Sequence, residues 1–421
     1  MAAPASREGE FTVDGVPVRA GGPADAVAGV VPRWVALPGS TTEVAAVLRA
    51  AAARDLAVLP AGGRATLHWG PPPERCDLLL DTGRLDRVLE HAAGDLVART
   101  QAGVPMAALA ATLAGAGQEL ALDVPVPGAT VGGTLAGGLA GPRRLRYGTA
   151  RDLLIGVTVV LADGTVARSG GKVVKNVAGY DLGKLFTGSH GTLGVIAEAT
   201  FRLHPLPAGR AFVTVTVPDP AALPGLAAVA ASPAEPSAVE LELPDLSGPA
   251  TLAVLVEGVA AAERAEVLRR ALGPRAAIGT RAPAWWGRPP DGGHLLELRV
   301  PPAAVRPALA AIGAAAGDLP VAVRGSACVA VLYLALPGDV PPAAAAAFVA
   351  AARAAVAPLG GRLPVVAAPP AAAAGLDMLG PVGAAALMRR VKDRFDPEGR
   401  MAPGRLLPAA GGTTGGPWTP S

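Results

Sequence analysis

The stretch that most constrains this chain is Gly128–Gly148, which reads GATVGGTLAGGLAGPRRLRYG. Seven of its 21 residues are glycine. A glycine inside a helix costs about 1 kcal/mol relative to alanine, so a regular helix is not expected here. Such a run lets a backbone approach something closely and aim several N–H groups at it. Phosphate is a natural object of that aim, although a packing loop or tight helix contact fits the letters equally well. Neither G-x-G-x-x-G nor a Walker-type GxxxxGKS spacing occurs in it, which sets aside the two commonest nucleotide fingerprints. Val124–Pro142 carries no charge over 19 residues and has GxxxG spacings. Pro125, Pro127 and the scarcity of large apolar side chains argue against a membrane span.

With 421 residues the chain has room for two or three domains, each with its own core. Hydrophobic residues make up 51% and charged ones 17%, which excludes a disordered chain. A net charge of +3, with arginines spread along the sequence, offers nothing for nucleic acid. Cys76 and Cys328 are the only cysteines and stand 252 positions apart. An intrinsic cysteine-ligated iron–sulfur cluster or zinc ribbon is thereby excluded, and no metal site is expected. The N-terminus MAAPASREGEFTVDG lacks a basic region followed by an apolar core, so no secretory leader is read and cytoplasm is the expected location.

In chain order, Phe11–Ala20 is a short unit, and Ser40 or Thr41 caps a helix starting near Thr42 whose apolar face is Val44, Val47 and Leu48. Ala57–Leu59 reads as a buried strand delivering the chain to Pro60-Ala61-Gly62-Gly63-Arg64-Ala65-Thr66, a second candidate phosphate cradle. Strands are expected at Asp77–Asp81 and Leu96–Thr100, a helix over Pro105–Ala116, and a hairpin over Asp152–Ser169 turning at Asp163-Gly164. A short helix near Asp181–Phe186 leads to a glycine cluster, Gly188, Gly191 and Gly194, and then to the strand Val195–Leu203. Beyond it, strands at Val213–Val217, Val239–Leu243, Leu252–Val256, His294–Val300, Val321–Arg324 and Cys328–Leu336 are interspersed with alanine-rich helices, the pattern of an α+β unit with an antiparallel sheet. A last helix, Ala384–Phe395, stops before Pro397.

The succession PGSTTEVAAVL, PAGGRAT, PGATVGGTLAGG, RYGTARDLLIGVTVVLADG, GYDLGKLFTGSHGTLGVI and FDPEGRMAPGRL resembles the FAD-linked oxidase family with a PCMH-type flavin domain, over about residues 32–207 and 386–407. Within that family, KNVAGYDL and GPRRLRYG are similar to the FAD-binding E-type subunits of bacterial glycolate oxidases. The resemblance implies an α+β fold: an N-terminal extension (1–31), the two-part PCMH-type FAD-binding domain (32–207), an α+β cap domain with an antiparallel sheet (208–385), a C-terminal helix and segment returning to the FAD domain (386–408), and a disordered tail (409–421). It carries cofactor binding onto Pro60, Ala61, Gly62, Gly63, Arg64, Ala65 and Thr66; onto Pro127, Gly128, Thr130, Val131, Gly132, Gly133, Gly137, Gly138, Tyr147 and Gly148; and onto Gly194, Val195 and Ile196. Some members attach FAD through a histidine in the first loop; the matching position here is Ala65, so non-covalent FAD is expected, with His68 a structural residue. Ala402 stands where the family commonly has asparagine.

Oxidising a 2-hydroxy acid needs a base for the hydroxyl proton, a cation for the carboxylate and the flavin as hydride acceptor. Arg144, Lys175 and Tyr180 are the candidates for such work, within a basic group that includes Arg143, Arg146 and Lys172; solvated charge, or capping by Asp181, explains the same letters. His294 is the one histidine in the cap region and is read as structural. The resemblance implies an FAD-binding subunit of a glycolate oxidase-like complex, exchanging electrons with a second flavoprotein and a cysteine-rich iron–sulfur subunit, with any membrane contact made through those partners. Two alternatives stand beside it: a self-sufficient FAD-dependent dehydrogenase of glycolate or D-lactate, and a flavin-free assembly subunit.

Overall fold

The computed structural model describes residues 10–171 and 181–407. Lys172, Lys175, Tyr180 and the expected tail 409–421 lie outside the described residues.

Among the described residues, the first half is built on two larger sheets, with a two-stranded pair of Gln118–Glu119 and His204–Pro205 beside them. The smaller is four-stranded, in the order Val18–Ala20, Trp34–Ala36, Leu78–Asp81, Val58–Ala61, and its last three strands run parallel. Helix Thr41–Ala52 covers it, starting where the Ser40 hydroxyl accepts the Glu43 N–H at 3.1 Å. Val44, Val47 and Leu48 of that helix are fully buried against Leu78 and Leu80, so the apolar spacing in the sequence became the contact face. The larger sheet is antiparallel, in the order Val88–Ala92, Val97–Gln101, Val195–Arg202, Leu154–Val160, Val166–Gly170.

The second half is one eight-stranded antiparallel sheet ordered Ala277–Gly279, Arg210–Val217, Ala250–Glu257, Ala238–Leu243, Ala322–Ser326, Val331–Leu336, His294–Arg299, Val365–Ala367. Strict alternation sorts its side chains. Val239, Leu241, Val254, Leu296, Leu332 and Leu334 join the core shared with helices Ala261–Leu272, Val305–Ala316 and Pro342–Val356. Glu240, Glu242, Arg324, Ser326, Tyr333 and Glu297 occupy the opposite face, paired directly across the strands. The helical run Pro342–Leu359 is long and apolar enough to cross a membrane by length and composition; here Phe348, Val349, Ala352 and Val356 are packed into the core of this second half.

Two departures from the sequence reading have plain causes. Val131–Gly137 is a helix despite its glycines: Thr130 caps it, Val131 and Leu135 are buried, and Gly138 ends it at φ +62°. Tertiary packing outweighs the glycine penalty over so short a span. The edge strands Ala277–Gly279 and Val365–Ala367 are three residues each, too short to show a period. The segment after helix Ala385–Phe395 extends the small parallel sheet: Val58 N–H donates to Arg400 O and Ala402 N–H donates to Val58 O, both at 2.9 Å.

That last segment is clasped by Asp396, 1% exposed, which accepts the backbone N–H groups of Arg400 (3.1 Å) and Met401 (2.7 Å) and pairs with Lys392. Removing one partner of a buried pair strands the other. Asp396→Ala is therefore expected to cost about 3 kcal/mol, seen as an earlier urea transition of the first half; an unchanged midpoint would show that the clasp is not needed.

Candidate functional site

An open cleft lies where three segments of the first half meet the C-terminal return. It is lined by Pro60 through Leu67 with Thr82, by Ala129, Thr130, Gly132, Gly133, Ala136 and Gly137, by His190, Gly191, Gly194, Val195 and Ile196, and by Arg405.

The first segment is a strand end turned into an open loop. Among the described residues no protein acceptor faces the backbone N–H groups of Gly62, Gly63, Arg64, Ala65 and Thr66. Five consecutive unspent donors at one place form a nest suited to an anion. The loop is held open by its own side chain: Arg64, at φ +57°, reaches away to Asp25 (3.2 Å) and Asp81 (3.0 Å). Arg19 and Arg64 between them hold the Asp25 carboxyl well below its ordinary range, the Arg19 hydrogen bonds contributing most. The Arg64 guanidinium is thus committed to carboxylates, and its contribution to the cleft is its backbone.

The second segment behaves differently from the phosphate cradle its glycines suggest. Its N–H groups are spent: Val131 donates to Val104 O, Gly132 to Ala102 O, and Gly133 to the Thr130 hydroxyl. Gly132 and Gly137 serve close approach, presenting a nearly side-chain-free wall. Gly62 and Gly63 have the same use from the other side, since a Cβ on Gly62 would strike the Thr130 hydroxyl and one on Gly63 the Gly128 carbonyl. The third segment is tied to this wall by Gly188 and His190, whose N–H groups donate to Leu135 O and Ala136 O.

Several expected cofactor residues lie elsewhere. Val131 is buried in the core, Gly138 packs on Gly188, and Pro127 and Gly128 line a neighbouring groove beside helix Met106–Ala114, although the Gly128 carbonyl backs Gly63. Tyr147 and Gly148 are not brought to the cleft. The Tyr147 hydroxyl donates to Glu257 at 3.4 Å, its ring meets His204 edge-on at 4.8 Å, and Gly148 lies against Asp152. Glu257 belongs to a buried ion cluster that joins the halves of the chain. Arg143 bonds Glu119 (2.7 Å), Asp123 (2.9 Å) and Glu257 (3.5 Å), and Arg210 bonds Glu119 (3.1 Å) and Glu257 (2.9 Å). Burial pulls the Arg143 guanidinium down, yet the three carboxylates hold it above its ordinary value. Arg144 faces the second half instead, in a separate pocket with Glu240 and Tyr333. His294 is 1% exposed, lies on the helix side of its strand with Leu296 and Leu298, and bonds the Pro337 carbonyl through Nδ1.

Sequence reasoning missed two cleft residues with chemistry. Arg405 is 5% exposed and donates to the carbonyls of Leu67 (3.0 Å), Trp69 (2.5 Å) and Pro71 (2.8 Å), with no carboxylate paired to it among the described residues. Burial pushes its guanidinium down to about 10. A buried cation without a counter-anion is costly, and the open side of this one is the cleft. The signal was present as the basic residue of MAPGRL, unread because its place depends on the chain returning. His190 sits at φ +51°, and burial, then Arg405, pushes its imidazole down to about 4, so it lines the cleft as a neutral group near pH 7. Donors without acceptors, a cation without an anion and a wall without side chains fit a bound pyrophosphate with a flat ring system attached.

Residues 32–170 match the family described as FAD binding domain. The chain is 39% identical over 173 residues to D-2-hydroxyglutarate dehydrogenase of Xanthomonas citri pv. viticola (41% of this chain, 37% of that protein). It is 44% identical over 115 residues to glycolate oxidase subunit GlcE of Escherichia coli K12 (27% of this chain, 33% of that protein). A solved structure of alkyldihydroxyacetonephosphate synthase superposes with a TM-score of 0.67 at 17% identity, over 89% of this chain and 78% of that one, and shows the same fold. The chain spans well under half the length of these curated relatives. Residues 32–170 are thus an FAD-binding domain, and FAD is the cofactor that this domain takes.

A methyl group at Gly63 would wedge the first loop off Gly128 and Thr130. Such overpacking costs about 1–3 kcal/mol, so Gly63→Ala is expected to weaken FAD binding by about 10- to 100-fold. Quenching of flavin fluorescence on titrating the apoprotein measures it, and native affinity in the variant would show that the loops need not touch.

Proposed function

We propose that this chain is the FAD-binding subunit of a glycolate oxidase-like complex that oxidises 2-hydroxy acids, holding FAD non-covalently. The observation that carries the reading is the five-donor loop Gly62–Thr66 sharing a cleft with a buried Arg405 that has no carboxylate partner among the described residues, a site incomplete without an anionic cofactor. Non-covalent attachment follows from the lining: Ala65 stands at the position matching the family's linking histidine, and no cysteine lines the cleft. The bound FAD would supply a two-electron acceptor, while the chain's residues bind and orient it.

Similarity to the GlcE subunit supports the assembly role. Electrons must then leave through other chains, because Cys76 and Cys328 are both buried, with thiols that burial pushes up to about 12, and cannot build a cluster. A second flavoprotein and a cysteine-rich iron–sulfur subunit are the partners of this proposal, with cytoplasm as its place and any membrane contact made through those partners. A second reading, a dehydrogenase sufficient in itself, is favoured by the polar face that the second half turns toward Arg144, with Glu240 and Tyr333 upon it.

The purified chain is expected to be yellow and to release all its flavin on acid precipitation. Colourless folded protein would sink both readings in favour of a flavin-free assembly subunit. Bleaching of the isolated chain by glycolate or D-lactate would select the second reading, whereas co-purification with a cysteine-rich chain and no bleaching would select the first.

A further inference from the structure

A groove of about 300 Å3 lies between the short helical turn Leu182–Phe186, the helix Ala385–Phe395 and the C-terminal segment 402–407. Its lining is aliphatic, with Leu185, Leu193, Leu387, Val391, Pro403 and Leu407 in it. Its two lips are left in water. Leu182 and Leu185, three apart on a tight turn and so on one face of it, are 50% and 41% exposed, and Leu387 across from them is 54% exposed. The polar side chains of the lining are spent inward. The Ser189 hydroxyl donates to Phe186 O at 2.8 Å and the Thr192 hydroxyl to Ser189 O at 2.7 Å. Lys392 donates to Thr192 O and Met401 O, both at 2.7 Å, and pairs with Asp396. Whatever enters must be apolar where it enters, since it finds few partners for polar groups of its own.

We propose that this groove docks an amphipathic helix of a partner chain, apolar on the face that enters and acidic along one flank. The proposal rests on the reading of the chain as a subunit of a complex and gives that complex a surface. The charge along the edge sets the chemistry. Leu387, Arg390 and Arg394, at i, i+3 and i+7, form one row along the outer edge of the groove. Both arginines are exposed and have no ion pair among the described residues. Asp393 falls on the other side of that helix, and Lys184 on the facing lip is paired with Asp181 at 3.4 Å. The edge therefore offers an occupant two cations, which match carboxylates in geometry and charge.

A concave apolar seat edged by cations is the arrangement by which grooves take amphipathic helices, whose leucine-type anchors recur at helical spacing. A flat lipid surface would touch the lips and leave the seat between them unfilled. Arg405 lines both this groove and the cofactor cleft, so the occupant rests on a wall that the cleft shares. Exposed apolar side chains gathered at one place mark an interaction surface more often than scattered ones do.

The test is fluorescence anisotropy of a fluorescein-labelled helical peptide, with leucines at i, i+3, i+4 and i+7 and glutamates beside them, titrated with the full chain. A peptide with lysines for the glutamates is the control. The acidic peptide should bind at least about tenfold more tightly than the lysine peptide, and less tightly as salt is added. Leu387→Asp should weaken it at least about tenfold, and Arg390→Glu with Arg394→Glu should reverse the preference between the peptides. All three positions are exposed, so an unchanged urea midpoint is expected for each variant; Val259→Asp, on the second half and 96% exposed, should bind as the native chain does. No binding of the acidic peptide, equal binding of the two, or full affinity in Leu387→Asp overturns the groove. Binding that appears only after residues 408–421 are removed gives the groove to the chain's own C-terminal residues, and sedimentation with phosphatidylglycerol vesicles that Leu387→Asp abolishes gives it to a lipid surface; either overturns the proposal. Bleaching by glycolate is read from the same samples. A chain that binds the peptide and bleaches by itself keeps the groove and overturns the subunit reading, whereas a yellow chain that neither bleaches nor binds the peptide overturns the groove alone.

Discussion

The flavin half depends on two glycine segments lying at backbone contact. Gly62 and Gly63 touch Thr130 and the Gly128 carbonyl, and no side chain larger than hydrogen fits between them. The contact keeps one segment's N–H groups unspent while the other's are consumed by Ala102, Val104 and Thr130. A fold that leaves five donors unbonded and a buried guanidinium bonded to carbonyls with no counter-anion among the described residues is less stable than it could be. That deficit is what a bound dinucleotide removes, so affinity for the cofactor and a shortfall in the empty fold are one quantity seen from two sides.

The two halves are joined by charge as well as by apolar packing. Arg143 leaves the flavin half and Glu257 and Arg210 leave the other, meeting where Glu119 and Asp123 also converge. A cluster of five groups with interleaved signs fixes relative orientation more sharply than greasy contact, because each carboxylate must face a guanidinium in a set direction. The neighbouring residue, Arg144, turns to the polar face of the eight-stranded sheet. Two adjacent arginines thus divide the labour, one joining the halves and one bonded to the Gly141 carbonyl with no ion pair among the described residues.

Much of the fold was legible in the residues. The Ser40 cap, the hairpin at Asp163-Gly164 and the alternation in Val239–Leu243 are local signals, and local signals survive in one sequence. The glycine run was legible as a close-approach element but misread as a non-helix, because the packing that stabilises Val131–Gly137 comes from distant residues. Of the site, Pro60–Thr66 stood out in the sequence since a strand end and a glycine turn are contiguous. Tyr147 was assigned to the cofactor and instead holds Glu257. Arg405, His190 and the pairing of Glu240 with Ser326 were not legible, each depending on segments that meet only after the chain has folded back.

Arg405 lies some 340 positions after the loop it faces, and Arg400–Ala402 pairs with Val58 at the edge of the small sheet. Domains generally fold as units from the N-terminus during synthesis, at about 5–20 residues per second. The first loops and their sheets are made early, yet the cleft lacks its cation and one sheet partner until about 340 further residues have been made. Cofactor capture is therefore a late event in the life of each molecule, and the nascent first half must wait, open-sided, through the synthesis of everything between.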